Sequence, residues 1–460
     1  MRRLVCVTAC TLLLSAPASG QFSAGARSVG MGGAGMVFSS GVDAIEWNPA
    51  NLALGSGWNV SLAEVGGALL LSGVTFGDLQ DIVDASGSGD AALLARIPAS
   101  GLSVSTVTEG FITSRAASGG DVPQPGSPLP SLGITFGQYG LRIRSRVLGE
   151  ARLSREIVDL VVNGFDPALI QTYRVGDTGF RSTSFSEITA GYGTILGERL
   201  ALGVGVRYVV GHQLTEGKFF EPLIDLVDET VEVTGVAVEA GGGSGYGLDL
   251  GLALDLAAGL RVSASGSNVI QRMSWDEDLI AHQATFVGCD DPFTPSCPNG
   301  DDFDLEFADL IDRFDAEPID PGAVSLPVYQ TAADLYRDAF FPTVFRAGVG
   351  WRAGGTAVEL VGTSVSPRGR QRGDWDERVS LGIEQRLVFL TLRAGAAKGS
   401  DGLQVVSAGV GLGLGPVALD ISGGLMSGGF EFAEDIVTPE DVDYAGGHIT
   451  VSLQVRGGGP

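Results

Sequence analysis

The sequence predicts an all-β protein: a transmembrane antiparallel β-barrel of about fourteen strands, with sixteen as the alternative count. Three observations predict it. Hydrophobicity alternates with a two-residue period over long segments, short Gly-containing turns alternate with long connections, and an export signal opens the chain. Of the 460 residues 70 are Gly, 18 % are charged, the formal charge is -25 and the mean hydropathy is +0.24. Such a chain is too apolar to be disordered and too acidic to present the basic face of a nucleic-acid binder. Beyond the N-terminus no stretch approaches about 18 consecutive apolar residues, which argues against membrane-spanning helices.

In chain order, residues 1–20 read as a signal peptide. Arg2 and Arg3 precede an apolar run over residues 4–14, small residues follow, and cleavage is expected after Gly20. The lipobox-like Val7-Thr8-Ala9-Cys10 competes, but cleavage there leaves too short an apolar region. Cys6 and Cys10 leave with the signal, so Cys289 and Cys297 remain. Export to an oxidising compartment predicts a disulfide between these two, closing a small loop, and their spacing shows no zinc pattern.

Residues 21–57 form a segment ahead of the strands, and residues 58–460 the barrel. Over 200–210, Leu200, Leu202, Val204, Val206, Tyr208 and Val210 alternate with Ala201, Gly203, Gly205, Arg207 and Val209. The same period recurs at 141–147, 246–256 and 449–456. A soluble β-sandwich would alternate in the same way. The barrel is favoured because the runs reach the roughly 9–11 residues of a tilted crossing. It is also favoured because tight turns at 137–140, 197–198, 257–259, 353–355 and 413–415 alternate with long connections at 154–179, 212–231, 273–342 and 427–447. Fifteen strand runs can be counted, starting near Trp58, Leu102, Leu132, Leu141, Ser182, Leu200, Tyr246, Leu260, Thr343, Thr356, Arg378, Val388, Leu403, Pro416 and His448. A single-chain barrel is normally even, and the Trp58 run or its neighbour is the doubtful one. A hairpin over 58–76, broken at Gly66-Gly67, would instead give sixteen. Helical spacing appears only at 78–97 and 155–162, read as caps over loops.

The run Gly30-Met31-Gly32-Gly33-Ala34-Gly35 formally satisfies G-x-G-x-x-G, but no strand precedes it and no βαβ unit follows. Its glycines read better as allowing backbone to pack closely in a confined space. Taken with Trp47-Asn48-Pro49-Ala50, it resembles the N-terminal segment of the FadL/TodX family and its PorV-like relatives. Arg27, Gly30, Met31, Gly32, Gly33 and Ala34 match the family's R-x-x-G-M-G-G-A stretch, and Trp47, Asn48, Pro49 and Ala50 match its W-N-P-A stretch. The resemblance implies that this segment plugs the lumen as a hatch. It implies a bacterial outer-membrane channel that takes up hydrophobic small molecules of the fatty-acid or aromatic-hydrocarbon type. The PorV-like side implies the alternative, a non-conducting scaffold barrel that docks secretion or envelope machinery. Expected partners are outer-membrane lipids, a hydrophobic small-molecule ligand and the barrel-assembly machinery during insertion; no nucleic acid, metal or cofactor is expected. Two features depart from the family: the chain ends without a terminal aromatic residue, and the connection over 273–342 has no counterpart.

Arg142, Arg144 and Arg146 share one face of a strand and are expected to point into the lumen. Arg207, Arg346, Arg352, Arg386, Arg393 and Arg456 join them there, with Glu187, Asp249, Asp255, Glu359, Glu384 and Asp420 opposing. Two readings follow: a ladder of ion pairs that fills the interior, or an excess of Arg at 142, 144 and 146 that attracts a ligand carboxylate. Residues 290–320 hold eleven carboxylates against Arg313. They read as a solvated outer loop, with Ca²⁺ binding as the alternative, although the spacing is not that of an EF-hand. Catalysis is not expected, because His212, His282 and His448 are the only imidazoles and no G-x-S-x-G elbow exists.

Overall fold

A computed structural model describes residues 25–73, 102–112, 127–154, 178–219, 223–225, 230–277, 280–288, 303–306, 342–366, 376–400, 402–427 and 444–457. The signal peptide, Cys289 and Cys297, the stretches 78–97 and 155–162, and the acidic residues 290–320 apart from 303–306 lie outside the described residues.

Alternation along the sequence becomes strands with one greasy and one small or polar face. In chain order these are β1 (Trp58–Ser72), β2 (Leu102–Glu109), β3 (Leu132–Phe136), β4 (Tyr139–Leu153), β5 (Gly179–Leu196), β6 (Leu200–Phe219), β7 (Thr230–Ala240), β8 (Gly242–Asp255), β9 (Leu260–Glu277) and β10 (Ile280–Gly288). They continue as β11 (Val344–Ala353), β12 (Thr356–Val365), β13 (Asp376–Arg386), β14 (Leu390–Gly399), β15 (Gln404–Leu414), β16 (Val417–Ser427) and β17 (Tyr444–Gly457). In β15, Val405, Ser407 and Gly409 are buried while Val406, Val410 and Leu412 are exposed. The exposed set continues around the ring through Leu381, Ile383, Ile421 and Ile449, as an apolar belt facing lipid requires.

The sheet closes into fourteen antiparallel wall positions, because β1 pairs with β17 from Trp58 opposite Gly457 to Ser72 opposite Tyr444. Closure leaves no edge, so the backbone groups of the wall are satisfied without water. Among the described residues no helix is long and apolar enough to cross a membrane.

Three wall positions carry two strands each: β7 runs on into β8 and β9 into β10 along one line, whereas β2 and β3 are brought to one position from separate parts of the chain. Both β2 and β3 lie between β1 and β4: Glu109 sits opposite Gly66 and Arg146, and Phe136 opposite Trp58 and Tyr139. Their junction is stitched by Gly110 N–H donating to Ser145 O at 2.9 Å and by a reciprocal Glu64–Ser131 pair at 3.1 Å. Gly110 has φ 87, a turn open to glycine, and there the chain leaves the wall. The fifteenth run is therefore the Leu102/Leu132 split and not the Trp58 run. β1 passes through Gly66-Gly67 unbroken, which removes the sixteen-strand count.

Three connections are shorter than the hydrophobic pattern implies. β6 continues to Phe219, β9 runs to Glu277 with β10 resuming at Ile280, and β17 begins at Tyr444. Glu216, Gly217 and Lys218 of β6 break the greasy alternation, yet the backbone ladder with β5 and β7 goes on through them. Beyond the lipid there is no reason for a strand to keep an apolar face.

Candidate functional site: the N-terminal segment and its seat

Residues 25–54 lie inside the ring of strands as α1 (Ala26–Gly30), α2 (Val42–Trp47) and a 3-10 turn (Pro49–Leu54). Their seat is made of inward-facing glycines. A β-carbon on Gly203 of β6 would overlap Ala50 N, one on Gly251 of β8 would overlap Asn48 Oδ1, and one on Gly395 of β14 would overlap the Met31 carbonyl. On Gly382 of β13 it would lie 2.7 Å from Met31, on Gly350 of β11 2.6 Å from Phe38, and on Gly193 of β5 2.6 Å from Ala53 N. Glycine is required at these points because backbone meets backbone or a core side chain.

The two sequence motifs have distinct roles in this docking. Asn48 Oδ1 accepts from Ala50 N–H at 3.1 Å and so caps the 3-10 turn, while Asn48 Nδ2 donates to Leu252 O of β8 at 2.9 Å. Pro49 fills the first position of that turn, and the Trp47 ring lies 4.8 Å under the Arg346 guanidinium. In the glycine run, Met31 and Ala34 are fully buried, Gly32 takes φ 64 against the backbone of Gly395 and Ala396, and Gly33 takes φ 90. Gly30 packs on Gly409 and Ser422, and Gly35 O accepts from Arg27 Nη1 at 2.8 Å.

Charge fixes both halves of the segment. Arg27 donates to Glu359 at 2.7 Å and to Glu384 at 2.9 Å, and Glu359 also accepts from Val37 N–H at 2.7 Å. Burial alone would lower the Arg27 guanidinium, but Glu384 and Glu359 hold it above its ordinary value. Glu384 is shared with Arg386 and Arg393, both at 2.9 Å, and Arg393 reaches Asp420 at 2.5 Å.

At the other half, Glu46 of α2 receives Arg142 at 3.1 Å, Arg146 at 2.8 Å, and Arg144. Burial pushes the Glu46 carboxyl up, and the cluster of Arg144, Arg142 and Arg207 outweighs it and holds the group below its ordinary range. The network spreads along the wall: Arg142 to Glu64 at 2.9 Å, Arg144 to Glu109 at 2.8 Å, and Arg207 to Glu187 at 2.5 Å and to Asp249 at 2.8 Å. All four sequence-predicted arginines are thus lumen-facing and in ion pairs, the ladder arrangement. Glu46, Glu64 and Glu109 are partners that the sequence pattern does not single out. They lie in the segment and in the first two wall strands, where alternation is weakest, so their inward direction becomes visible only once the register is known.

Three solved barrels compare closely with this architecture over nearly their whole length. TbuX, a toluene transporter of Ralstonia pickettii, is 13 % identical with a TM-score of 0.53, covering 95 % of this chain and 99 % of its own. CymD, a monoaromatic hydrocarbon channel, is 13 % identical with a TM-score of 0.52, covering 96 % and 100 %. TodX, the toluene transporter of P. putida, is 13 % identical with a TM-score of 0.51, covering 96 % and 100 %. The fold is that of the FadL/TodX-type barrels. The sequence itself matches no family model and no curated protein.

In this barrel the wall toward the long connections carries buried apolar groups beside polar ones such as the Arg181–Glu216 ion pair. Leu70, Ala397, Leu403, Val405 and Met426 form one buried cluster there, and Phe185, Leu214, Met273 and Trp275 are buried on β5, β6 and β9. Between that wall and the segment lies a cavity of about 40 Å³, bounded by Gly32, Gly33, Gly66, Val107, Val405 and His448. It has room for roughly three waters. Two Ser–His pairs also line the wall: Ser186 Oγ is 2.7 Å from His212 Nε2, and Ser407 Oγ is 3.1 Å from His448 Nε2. Among the described residues neither imidazole is hydrogen-bonded to a carboxylate, so the orienting third member of a triad is missing.

Proposed function

We propose that the protein is an outer-membrane channel for uptake of hydrophobic small molecules of the aromatic-hydrocarbon or fatty-acid type, with residues 21–57 as its hatch. The observation that carries this reading is the seat itself. A fourteen-strand wall is wide enough to need filling, and here glycines and opposite charges of the wall hold a separate segment across its bore. Apolar patches of the inner wall, such as the Leu70–Met426 cluster, stand between that segment and the long connections, the side on which a greasy molecule would arrive. The 40 Å³ cavity is too small for an aromatic ring, so passage needs the segment to move. The neighbours' described cargo, toluene and other monoaromatic hydrocarbons, supports the same class. Partners on this reading are outer-membrane lipids around the belt, the hydrophobic ligand, and the assembly machinery during insertion. Export by a signal peptide cleaved after Gly20 belongs to the same proposal.

The filled lumen equally suits a non-conducting scaffold that docks secretion or envelope machinery. Toluene uptake into proteoliposomes containing the purified barrel separates the two. Uptake above that of protein-free vesicles is expected, and uptake no faster than theirs would leave the scaffold.

A further inference from the structure

The two charged anchors of the segment differ in what they leave behind when broken. If Arg27 leaves, Glu359 has no other cation within ion-pair distance among the described residues, and its side chain is 0 % exposed, so an uncompensated buried carboxylate remains. If Glu46 leaves, Arg142 keeps Glu64 at 2.9 Å and Arg144 keeps Glu109 at 2.7 Å. Only Arg146 loses its close partner, since its remaining acid, Glu187, is 4.0 Å away. Glu46 is also more accessible, its side chain 14 % exposed against 9 % for Arg27. Undocking Glu46 therefore costs less, and what it leaves is a vacant set of guanidinium N–H donors on one face of β4.

We infer that Glu46 is a resident carboxylate ligand of the Arg142-Arg144-Arg146 row, and that a carboxylate on an incoming apolar molecule displaces it, freeing the α2 half of the segment while Arg27 stays anchored. The inference rests on the channel reading above and assigns the site its trigger. Three donors on alternate residues of one strand converge on a single carboxylate, which is the recognition a carried acid would meet. With Glu46 in place the wall acids Glu64, Glu109, Glu187 and Asp249 balance the row and Arg207 only in part of the geometry, because Arg146 depends on the segment for its partner. A neutral hydrocarbon offers nothing to exchange with Glu46, so on the channel reading toluene passes by movements of the segment that leave this ion pair in place.

The test uses the full exported chain in liposomes, with a nitroxide at Ser40→Cys in a Cys289→Ser/Cys297→Ser background. Ser40 is the one exposed residue among 25–53 and lies in the turn between the two anchors. Benzoate and toluene are the probes, alike except for the carboxylate. Benzoate is expected to raise a mobile spectral component in the otherwise native sequence, and toluene is not. Glu46→Gln should show that component without any probe. Arg146→Gln should shift the benzoate response to about tenfold higher concentration, the size of one lost charge-assisted hydrogen bond. Equal mobilisation by toluene would overturn the exchange. An unchanged spectrum with both probes, in vesicles that still take up toluene, would overturn release from this end and leave the channel reading standing. Absence of uptake together with an unchanged spectrum would overturn both.

Discussion

The two halves of the N-terminal segment are held by charges of opposite sign, and the wall answers them differently. At Arg27 one cation of the segment neutralises two wall carboxylates that water does not reach. At Glu46 one anion of the segment joins a row of wall arginines that mostly have other acids nearby. An ion pair's worth to the fold depends less on its length than on what its loss strands in a dry place. By that measure the first anchor is structural and the second is replaceable.

The largest expected effect is Arg27→Met, which strands Glu359 and should cost about 3–5 kcal/mol of barrel stability. Urea titration of the heat-modifiable band in detergent gels reads it, and adding Glu359→Gln should restore a large part. If Arg27→Met cost no more than Glu46→Gln, the distinction between the anchors would fail. Next comes the seat, independent of charge: Gly203→Val places a side chain where Ala50 N lies and should cost about 1–3 kcal/mol through overpacking. Its signature is protease sensitivity of residues 21–57 in an intact barrel. Asn48→Ala removes the cap of the 3-10 turn and the peg to Leu252 O, about 1 kcal/mol, and should raise the frequency of brief openings in planar bilayers. Smallest is Arg386→Gln, whose guanidinium is 47 % exposed, with a change within about 1 kcal/mol even though it touches the same Glu384 as Arg27. Deleting residues 28–40 bears on the channel reading as a whole, and a stepwise rise in single-channel conductance is the expected outcome.

Much of the wall is legible in the amino-acid sequence. Two-residue alternation places β4, β6, β8 and β17, and the turns at Gly137, Gly197, Gly354 and Gly415 fall where positive φ is needed. The split of one wall position between β2 and β3 is not legible, because each half carries its own alternation and only pairing with β1 and β4 shows that they share a place. The lumen arginines are readable from parity, but their partners are not. Arg27 and Glu384 are 357 residues apart, and Arg144 and Glu46 are 98 apart. The sequence also carries a subtler signal: glycines at inward positions between greasy outward neighbours, such as Gly203 between Leu202 and Val204 or Gly251 between Leu250 and Leu252. An inward residue with no side chain, repeated on strand after strand, marks a wall shaped to another backbone.

The glycine seat also bears on the order in which the molecule is built. Its pieces come from β5 and β6 early in the chain and from β14 and β15 near the end, yet the segment they receive is made first. During synthesis and insertion that segment has to wait for nearly the whole polypeptide before its resting place exists, and contacts of such sequence separation form late. A barrel caught before β17 meets β1 would have neither a closed wall nor a complete socket, and so would leak. On the channel reading, sealing and ring closure thus become one event, and a cell that inserts this protein would meet an open bore only for as long as the last strands take to dock.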